Sequence, residues 1–151
     1  MSIIVKPATI ADLERIYQVE KECFTTDAFD KQYLACLLEN PDAVSLIAKM
    51  DKSIVGFIIG LVNRPFEEIT GHVYTLDVVV EYRRRGVGLK LLKEIEQIFE
   101  EKGVETCYLE VREDNVGARK FYLKHGYVKA KKLRGYYKGS HGVQLKKRLR
   151  V

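Results

Sequence analysis

The feature that most constrains the fold is a strand pattern that leads through a glycine turn into a helix pattern. The β-branched run at residues 72–80 predicts a strand, and residues 88–102 place large apolar side chains on one stripe with charges opposite. Gly103 is suited to end that helix. The basic turn between them, residues 82–88, would leave unpaired backbone N–H groups at the positive end of a helix dipole. The sequence therefore predicts a phosphate site at this turn.

Two well-known phosphate motifs do not fit the turn. A nucleotide-hydrolysing P-loop needs Gly-Lys followed by Ser or Thr, but here Gly88 is followed by Leu89 and Lys90. A dinucleotide fingerprint needs a third glycine at the position that Leu91 occupies. The remaining pattern is Arg83-x-x-Gly86-x-Gly88, and its alternative interpretation is a basic surface turn closed by glycines.

The other periodic segments predict the order β-α-α-β-β-β-α-β-α-β-β in one domain spanning residues 1–151. Thr9 to Asp12 resembles a capping box, Asp30 can cap a second helix, and Asn115 to His125 predicts a fourth. The predicted strands cover residues 3–6, 44–50, 54–62, 72–80, 106–111, 127–133 and 143–149. We expect an α/β fold with a mixed sheet of six to seven strands flanked by four helices.

The composition indicates the cellular compartment, the state of the cysteines and the distribution of charge. The chain carries no secretory signal core and no apolar run near the roughly 20 residues of a membrane span, so we expect a cytoplasmic protein. Cys23, Cys36 and Cys107 follow no metal-ligand or disulfide spacing, which predicts buried, reduced thiols and no metal. Residues 115–151 hold 12 basic and no acidic residues, whereas residues 1–114 hold 14 basic and 21 acidic ones. We interpret these basic residues as solvated strand faces. Contact with nucleic acid or a ribosome is the alternative that stays open.

Three segments together resemble the GNAT superfamily of N-acetyltransferases, with its ribosomal-protein alanine acetyltransferases and its archaeal and eukaryotic N-terminal acetyltransferase subunits. They are Leu76 to Gly88, Leu109 to Asn115, and Phe121 to Tyr127. The resemblance covers nearly the whole chain and implies the GNAT fold and acetyl-CoA as donor. It also implies direct attack by an amine in a ternary complex, without metal.

Three residues are candidates for the catalytic chemistry that this resemblance implies. Glu110 occupies the position of the family's general base, and alternation places it on the face of its strand opposite Cys107. We expect burial to raise its pKa; the alternative is a structural carboxylate paired with Arg112 or another cation. Tyr122 resembles the family's general acid, although a half-buried aromatic would look the same. His72 is the second candidate base, expected on one strand face with Tyr74, Leu76 and Val78.

The resemblance also assigns the donor site. It implies a strand that separates from its neighbour and leaves backbone amides for pantetheine and the thioester oxygen, with Asn115 and Tyr122 contributing side chains. Asn115 can also be a simple helix N-cap, or it can serve both roles. The residues expected to bind the cofactor are Leu76, Val78, Val80, Arg83, Arg84, Arg85, Gly86, Val87, Gly88, Asn115 and Tyr122.

The acceptor is less constrained. Phe24 and Phe29 in one loop, and Tyr136 and Tyr137 in a hairpin, stand where peptide-binding loops occur in the N-terminal acetyltransferases; two tyrosines at a strand end can also be packing residues. We expect a protein or peptide N-terminus as acceptor. A lysine or small-molecule amine acetyltransferase is the enzymatic alternative. A non-catalytic acyl-CoA-binding or RNA-associated module is the third.

Overall fold

The computed structural model describes residues 2–64 and 67–149, and in them the predicted order of elements is confirmed. Short 3₁₀ turns precede α1 and follow β4. The elements are β1 (Ile4–Pro7), α1 (Leu13–Cys23), α2 (Lys31–Glu39), β2 (Ala43–Met50), β3 (Ser53–Asn63), β4 (Thr70–Val78), α3 (Val87–Glu101), β5 (Thr106–Arg112), α4 (Val116–Lys124), β6 (Val128–Tyr137) and β7 (Ser140–Arg148).

The strands form one mixed sheet in the order β1-β2-β3-β4-β5-β7-β6. Only the central β4–β5 pair is parallel among the described strands, and its ladder is short, ending at the pair Val73 and Leu109. Beyond that point β4 continues along β3 to Val78, while β5 continues along β7 to Arg112. The two central strands therefore separate, and this gap between β4 and β5 gives the fold its cleft.

The helices lie in two layers. The apolar stripe of α3, together with Tyr122 of α4, packs on one face of the sheet. Ile16 of α1 and Leu34 of α2 pack on the other face. Each fully buried large side chain contributes about 1.5–3 kcal/mol, so the stripe of α3 is a major part of the core: Leu91, Leu92, Ile95 and Phe99.

A β-bulge in β4 changes which residues share a face. Thr75 pairs with Ile59 and Val73 with Gly60, so Tyr74 has no partner in the ladder. As a result, Leu76 and Val78 pack towards α3, whereas Tyr74 packs towards α1 and α2. The prediction that His72 shares a strand face with Leu76 and Val78 is therefore wrong. The prediction that His72 shares a face with Tyr74 is correct.

Some boundaries also differ from the sequence prediction. β4 ends at Val78, because Val79 turns into the core and Val80–Tyr82 form a 3₁₀ turn. The final hairpin is longer than predicted: β6 runs to Tyr137 and β7 begins at Ser140. Among the described helices, none is long and apolar enough to cross a membrane.

The three cysteines are all free thiols, but they are not all buried as predicted. Cys107 is buried, Cys23 is partly buried and Cys36 is exposed. Cys36 lies beside the buried Leu34 and Leu37 in sequence, and the helical period turns it away from the face that those residues bury.

Candidate active site

His72 on β4 and Glu110 on β5 form the centre of the site. His72 lies beside the last paired residues of the two strands, and Glu110 is the first residue of β5 beyond them. The distance from His72 Nε2 to Glu110 Oε1 is 2.6 Å, so the ring N–H donates to the carboxylate. The side chains are 26% and 11% exposed, respectively. The structure therefore brings the two predicted bases into one hydrogen-bonded pair.

The pKa of Glu110 lies below its ordinary value. Burial raises this pKa, but the hydrogen bond and electrostatic effect of His72, together with a hydrogen bond from Gln144, lower it by more. Gln144 Nε2 donates to Glu110 Oε2 at 3.1 Å. The expectation of a raised pKa is thus wrong, because two donors stabilise the carboxylate more than burial destabilises it. Arg112, the predicted alternative partner, instead pairs with Asp27 and Asp114.

Three tyrosines lie near Glu110, and a fourth, Tyr33, lies near two of them; the four are called here the tyrosine cluster: Tyr33, Tyr74, Tyr136 and Tyr137. Tyr74 packs edge-on against His72, with ring centroids 4.5 Å apart, and Tyr136 and Tyr137 pack together at 4.9 Å. Burial raises the pKa of Tyr136, and the nearby Glu110 carboxylate raises it further. The cluster makes an aromatic wall, with polar hydroxyls, next to the carboxylate.

The predicted acceptor residues occupy different places around this wall. Tyr136 and Tyr137 belong to the tyrosine cluster. Phe29 packs against Tyr33, with ring centroids 4.9 Å apart. Phe24 is half-buried directly after α1, where its N–H donates to the carbonyl of Glu20. Acceptor binding by these four residues stays a prediction.

Tyr122 approaches from the opposite layer. Its ring packs in the α3-side core against Phe121 and Tyr127, and the residue is 7% exposed. Burial, followed by the nearby Asp77 carboxyl, raises the pKa of the phenol well above its ordinary value. A phenol with a raised pKa keeps its proton at neutral pH, as a general acid must. Because Glu110 lies on the other face of β5, Tyr122 and the His72–Glu110 pair lie on opposite faces of the sheet.

The gap is lined by the strand residues predicted to bind the cofactor, with one correction. Leu76 and Val78 lie on β4 in the part that is no longer paired with β5. The carbonyl of Val78 accepts hydrogen bonds from Arg83 Nε at 2.9 Å and from the thiol of Cys23 at 3.5 Å. Val80 is 54% exposed and lies in the 3₁₀ turn rather than on the strand.

The basic turn has the backbone of an anion site. Gly86 stands directly before α3 with φ of 87°, a left-handed conformation that favours glycine. Among residues 2–64 and 67–149 no side chain caps this helix end, so the first N–H groups, including those of Val87 and Gly88, are available to an anion. Arg83, Arg84 and Arg85 are exposed around it.

Gly88 lies in the first turn of α3, and Asn115 directly precedes α4. A β-carbon at Gly88 would lie 3.6 Å from a methyl group of Val78 and 3.7 Å from the ring of Phe121, so any larger side chain would fill the space between β4 and α4. Asn115 caps α4, its side-chain oxygen accepting from the N–H of Ala118 at 3.1 Å. The N-cap alternative is therefore correct, and the cap leaves the amide nitrogen of Asn115 available.

Asp77 of β4 and Glu20 of α1 form a buried carboxyl cluster around Thr75. Thr75 Oγ1 lies 2.8 Å from Glu20 Oε1 and 2.5 Å from Asp77 Oδ1. One hydroxyl hydrogen can serve only one of these contacts, so the other requires a proton on a carboxyl group. Burial raises the pKa of Asp77 well above its ordinary value, and the Glu20 carboxylate raises it further. We therefore assign the shared proton to Asp77.

Sequence reasoning missed several residues of the site. Gln144 pairs directly opposite Glu110 on β7, and its signal was a lone polar residue between Val143 and Leu145. Alternation placed Tyr74 beside His72 but gave it no role in the site, and Tyr33 had no usable signal, because α2 brings it there through tertiary packing.

Of the 12 basic residues in residues 115–151, four lie on the edge strand of the sheet. β6 is the edge strand and is exposed over most of its length, and its basic residues are Lys129, Lys131, Lys132 and Arg134. Lysines on an edge strand discourage pairing with another sheet, in agreement with solvated strand faces. Arg150 lies outside the described residues.

The geometry of the site agrees with what the chain is similar to. The family model described as "Acetyltransferase (GNAT) family" matches residues 11–127. The chain is 32% identical over 138 residues to the "uncharacterized N-acetyltransferase MJ1530" of Methanocaldococcus jannaschii, covering 89% of this chain and 84% of that protein. It is 28% identical over 142 residues to an N-alpha-acetyltransferase of Sulfurisphaera tokodaii, covering 88% and 84%.

A solved structure with the same fold is that of Arabidopsis thaliana Naa50 in complex with the bisubstrate analogue CoA-Ac-MVNAL. It superposes with a TM-score of 0.86 at 20% sequence identity, covering 97% of this chain and 99% of that chain. The family match spans most of the sequence and contains Glu110, Asn115 and Tyr122. The chain therefore belongs to the acetyltransferase (GNAT) family.

Proposed function

We propose that this acetyltransferase transfers the acetyl group of acetyl-CoA to the N-terminal α-amine of proteins or peptides. One observation carries the proposal. A carboxylate with a lowered pKa, Glu110, is hydrogen-bonded to His72 beside the gap between β4 and β5, and the tyrosine cluster lines its open side. Relatives named N-alpha-acetyltransferases, and a neighbour solved with a CoA–peptide analogue, support this acceptor.

The residues present fit acetyl-CoA. The left-handed Gly86 and the uncapped start of α3 suit a pyrophosphate, and three exposed arginines add positive charge. The space left by the missing side chain at Gly88, and the part of β4 that is not paired with β5, suit the thin pantetheine arm. When bound, acetyl-CoA supplies an acetyl group activated as a thioester.

The side chains divide the work of acetyl transfer. Glu110 accepts the proton of the attacking amine, and His72 holds the carboxylate in place through Nε2. N–H groups of β4 that are not paired with β5 can donate to the oxygen of the reacting carbonyl. Tyr122, on the opposite face of the sheet, keeps its proton at neutral pH and can give it to the departing thiolate of coenzyme A.

The low pKa of Glu110 favours an α-amine over lysine. An α-amino group with a pKa of about 7.7–8.0 is partly neutral at pH 7, whereas a lysine with a pKa of about 10.4 is almost entirely protonated. A carboxylate whose pKa is lowered is a weak base, so it serves an amine that is already partly neutral much better than one that is fully charged.

A panel of acceptors tests the proposal. Thiol release from acetyl-CoA is followed with peptides that differ in their first residue, with N-terminally blocked peptides that contain lysine, and with small polyamines. We expect turnover of a subset of peptides with a free N-terminus. Turnover of blocked peptides or polyamines alone would contradict the proposal, and binding of acetyl-CoA without any turnover would favour the non-catalytic module.

A second role is supported by one observation, the exposed basic edge strand β6. We propose that the enzyme acts in the cytoplasm, and that this edge contacts nucleic acid or the ribosome. A titration with an RNA oligonucleotide tests the contact: affinity should fall steeply with added salt. Absence of binding at 50 mM salt would contradict it and leave edge protection as the role of these lysines.

A further inference from the structure

Arg112 connects three segments around the acceptor side of the cleft. It is the last residue of β5, two positions beyond Glu110 and on the same face of the strand. Its guanidinium makes four hydrogen bonds. Nη1 donates to the Asp27 carboxylate at 3.0 Å and to the backbone carbonyl of Lys138 at 3.1 Å. Nε and Nη2 donate to Asp114 at 3.0 and 3.3 Å.

The segments joined in this way carry the predicted acceptor residues. Asp27 lies in the loop between α1 and α2, which also contains Phe29, and Lys138 lies in the turn between β6 and β7, directly after Tyr137. The guanidinium also lies 5.7 Å from the centroid of the Tyr137 ring. Arg112 thus anchors both the loop between α1 and α2 and the turn between β6 and β7 to the end of β5.

The environment makes this anchor more than a surface ion pair. Arg112 and Asp27 side chains are 24% and 19% exposed, respectively, so solvent screens them less than it screens fully exposed pairs. A planar guanidinium can reach a carboxylate and a carbonyl in different directions at once, whereas an ammonium group offers donors from a single point. The arrangement therefore depends on arginine and not on positive charge alone.

We propose that Arg112 is a positioning residue that fixes the distance between the α1–α2 loop and the β6–β7 turn, and thereby sets the affinity for the acceptor. The inference rests on the proposed function insofar as these two segments bind the acceptor. The guanidinium is engaged by Asp27, Asp114 and the carbonyl of Lys138, so in this role it acts on neither the attacking amine nor the thioester. Its loss should therefore weaken acceptor binding and leave the chemical step almost unchanged.

Two readouts test this proposal on the full chain, and one of them does not need an acceptor. Amide hydrogen exchange in R112A should become faster at residues 25–29 and 138–139, while exchange in β3 stays the same. In steady-state assays, R112A should raise the acceptor KM about tenfold or more, which corresponds to about 1.4 kcal/mol. The kcat and the KM for acetyl-CoA should stay within about twofold of wild type.

Further variants separate positioning from general stability. R112K should recover only part of the acceptor affinity, and D27N should reproduce much of the R112A effect without altering β5. The matched control is K132A, which removes the exposed Lys132–Glu113 pair on neighbouring segments without freeing the α1–α2 loop. We expect K132A to behave as wild type in both readouts.

The outcomes distinguish this inference from the proposed function. The positioning role is overturned if amide hydrogen exchange at residues 25–29 and 138–139 is unchanged in R112A and D27N. It is also overturned if this exchange becomes faster while the acceptor KM stays the same. If wild type acetylates no peptide at all, the proposed function fails, and the hydrogen-exchange result alone then decides whether Arg112 anchors the two loops.

Discussion

The ring N–H of His72 donates to Glu110 across the first unpaired position between β4 and β5, with Nε2 2.6 Å from Oε1. This bond links the strand that borders the donor gap to the strand that carries the candidate base. Because Gln144 supplies a second donor, the carboxylate is fixed by both of its oxygens. It is therefore held in one orientation before any substrate arrives.

Replacing the carboxylate tests the role of Glu110 directly. E110Q keeps an oxygen that accepts from His72 but cannot take up a proton. We expect kcat to fall about 100-fold or more, the usual contribution of a general base, while the Kd of acetyl-CoA changes less than twofold. The measurements are thiol release and calorimetric titration of acetyl-CoA. The control is E113Q, which makes the same change at a more exposed glutamate of the same segment. An E110Q variant with wild-type kcat would show that Glu110 is not the general base.

Tyr122 should act on the leaving group without affecting the acceptor. Y122F removes only the hydroxyl from a ring that is packed against Phe121 and Tyr127. We expect a decrease in kcat of about 100-fold or more, with the acceptor KM and the melting temperature close to wild type. Y17F on α1 serves as control. A variant that loses acceptor affinity but keeps kcat would show that Tyr122 is not the acid.

A side chain at Gly88 should block the donor site and spare the fold. G88V places methyl groups in the space between Val78 and Phe121. We expect acetyl-CoA affinity to fall at least about tenfold, with a loss of stability no larger than that of K93V. That control puts the same β-branched residue on the exposed side of α3. Tight acetyl-CoA binding by G88V would place the pantetheine arm elsewhere.

The buried carboxyl cluster predicts a dependence of stability on pH. The folded-state pKa of Asp77 is raised, so its contribution to stability is complete below the unfolded-state pKa and decreases as pH rises through the folded-state value. D77N has no proton to lose. We expect D77N to melt higher than wild type at pH 8.5, with a difference that shrinks at pH 4.5. About 1 kcal/mol corresponds to roughly 2–4 °C at this chain length.

Thermal unfolding followed by circular dichroism at the two pH values measures this difference. T75V is a useful comparison, because it removes the hydroxyl that contacts both Glu20 and Asp77 and should destabilise the protein at both pH values. A D77N variant that melts lower than wild type at pH 8.5 would mean that folding does not raise the pKa of Asp77.

The order of elements and the turn at residues 82–88 could be predicted from sequence, because amphipathic period, capping residues and glycine turns are local signals. Asp30 illustrates this: its side chain accepts from the N–H of Tyr33 at 2.7 Å, as its position before α2 predicts. The pairing of Glu110 could not be predicted in the same way. Alternation gives the face of β5, but not which residue of the neighbouring strand stands opposite.

The errors come from features that only the folded chain contains. The bulge at Tyr74 reverses the faces of the residues after it, and no local pattern marks it. The sign of the Glu110 pKa shift depends on two donors from β4 and β7, which burial alone does not reveal. The anchor at Arg112 likewise depends on two loops that are far apart in sequence.

The most direct measurement of the central claim uses one peptide with a free N-terminus and an internal lysine, incubated with acetyl-CoA at pH 7. Fragmentation mass spectrometry then locates the added acetyl group. The account predicts acetylation at the α-amine with the lysine unmodified, and loss of that product in E110Q. Acetylation of the lysine, with a free α-amine, would contradict it.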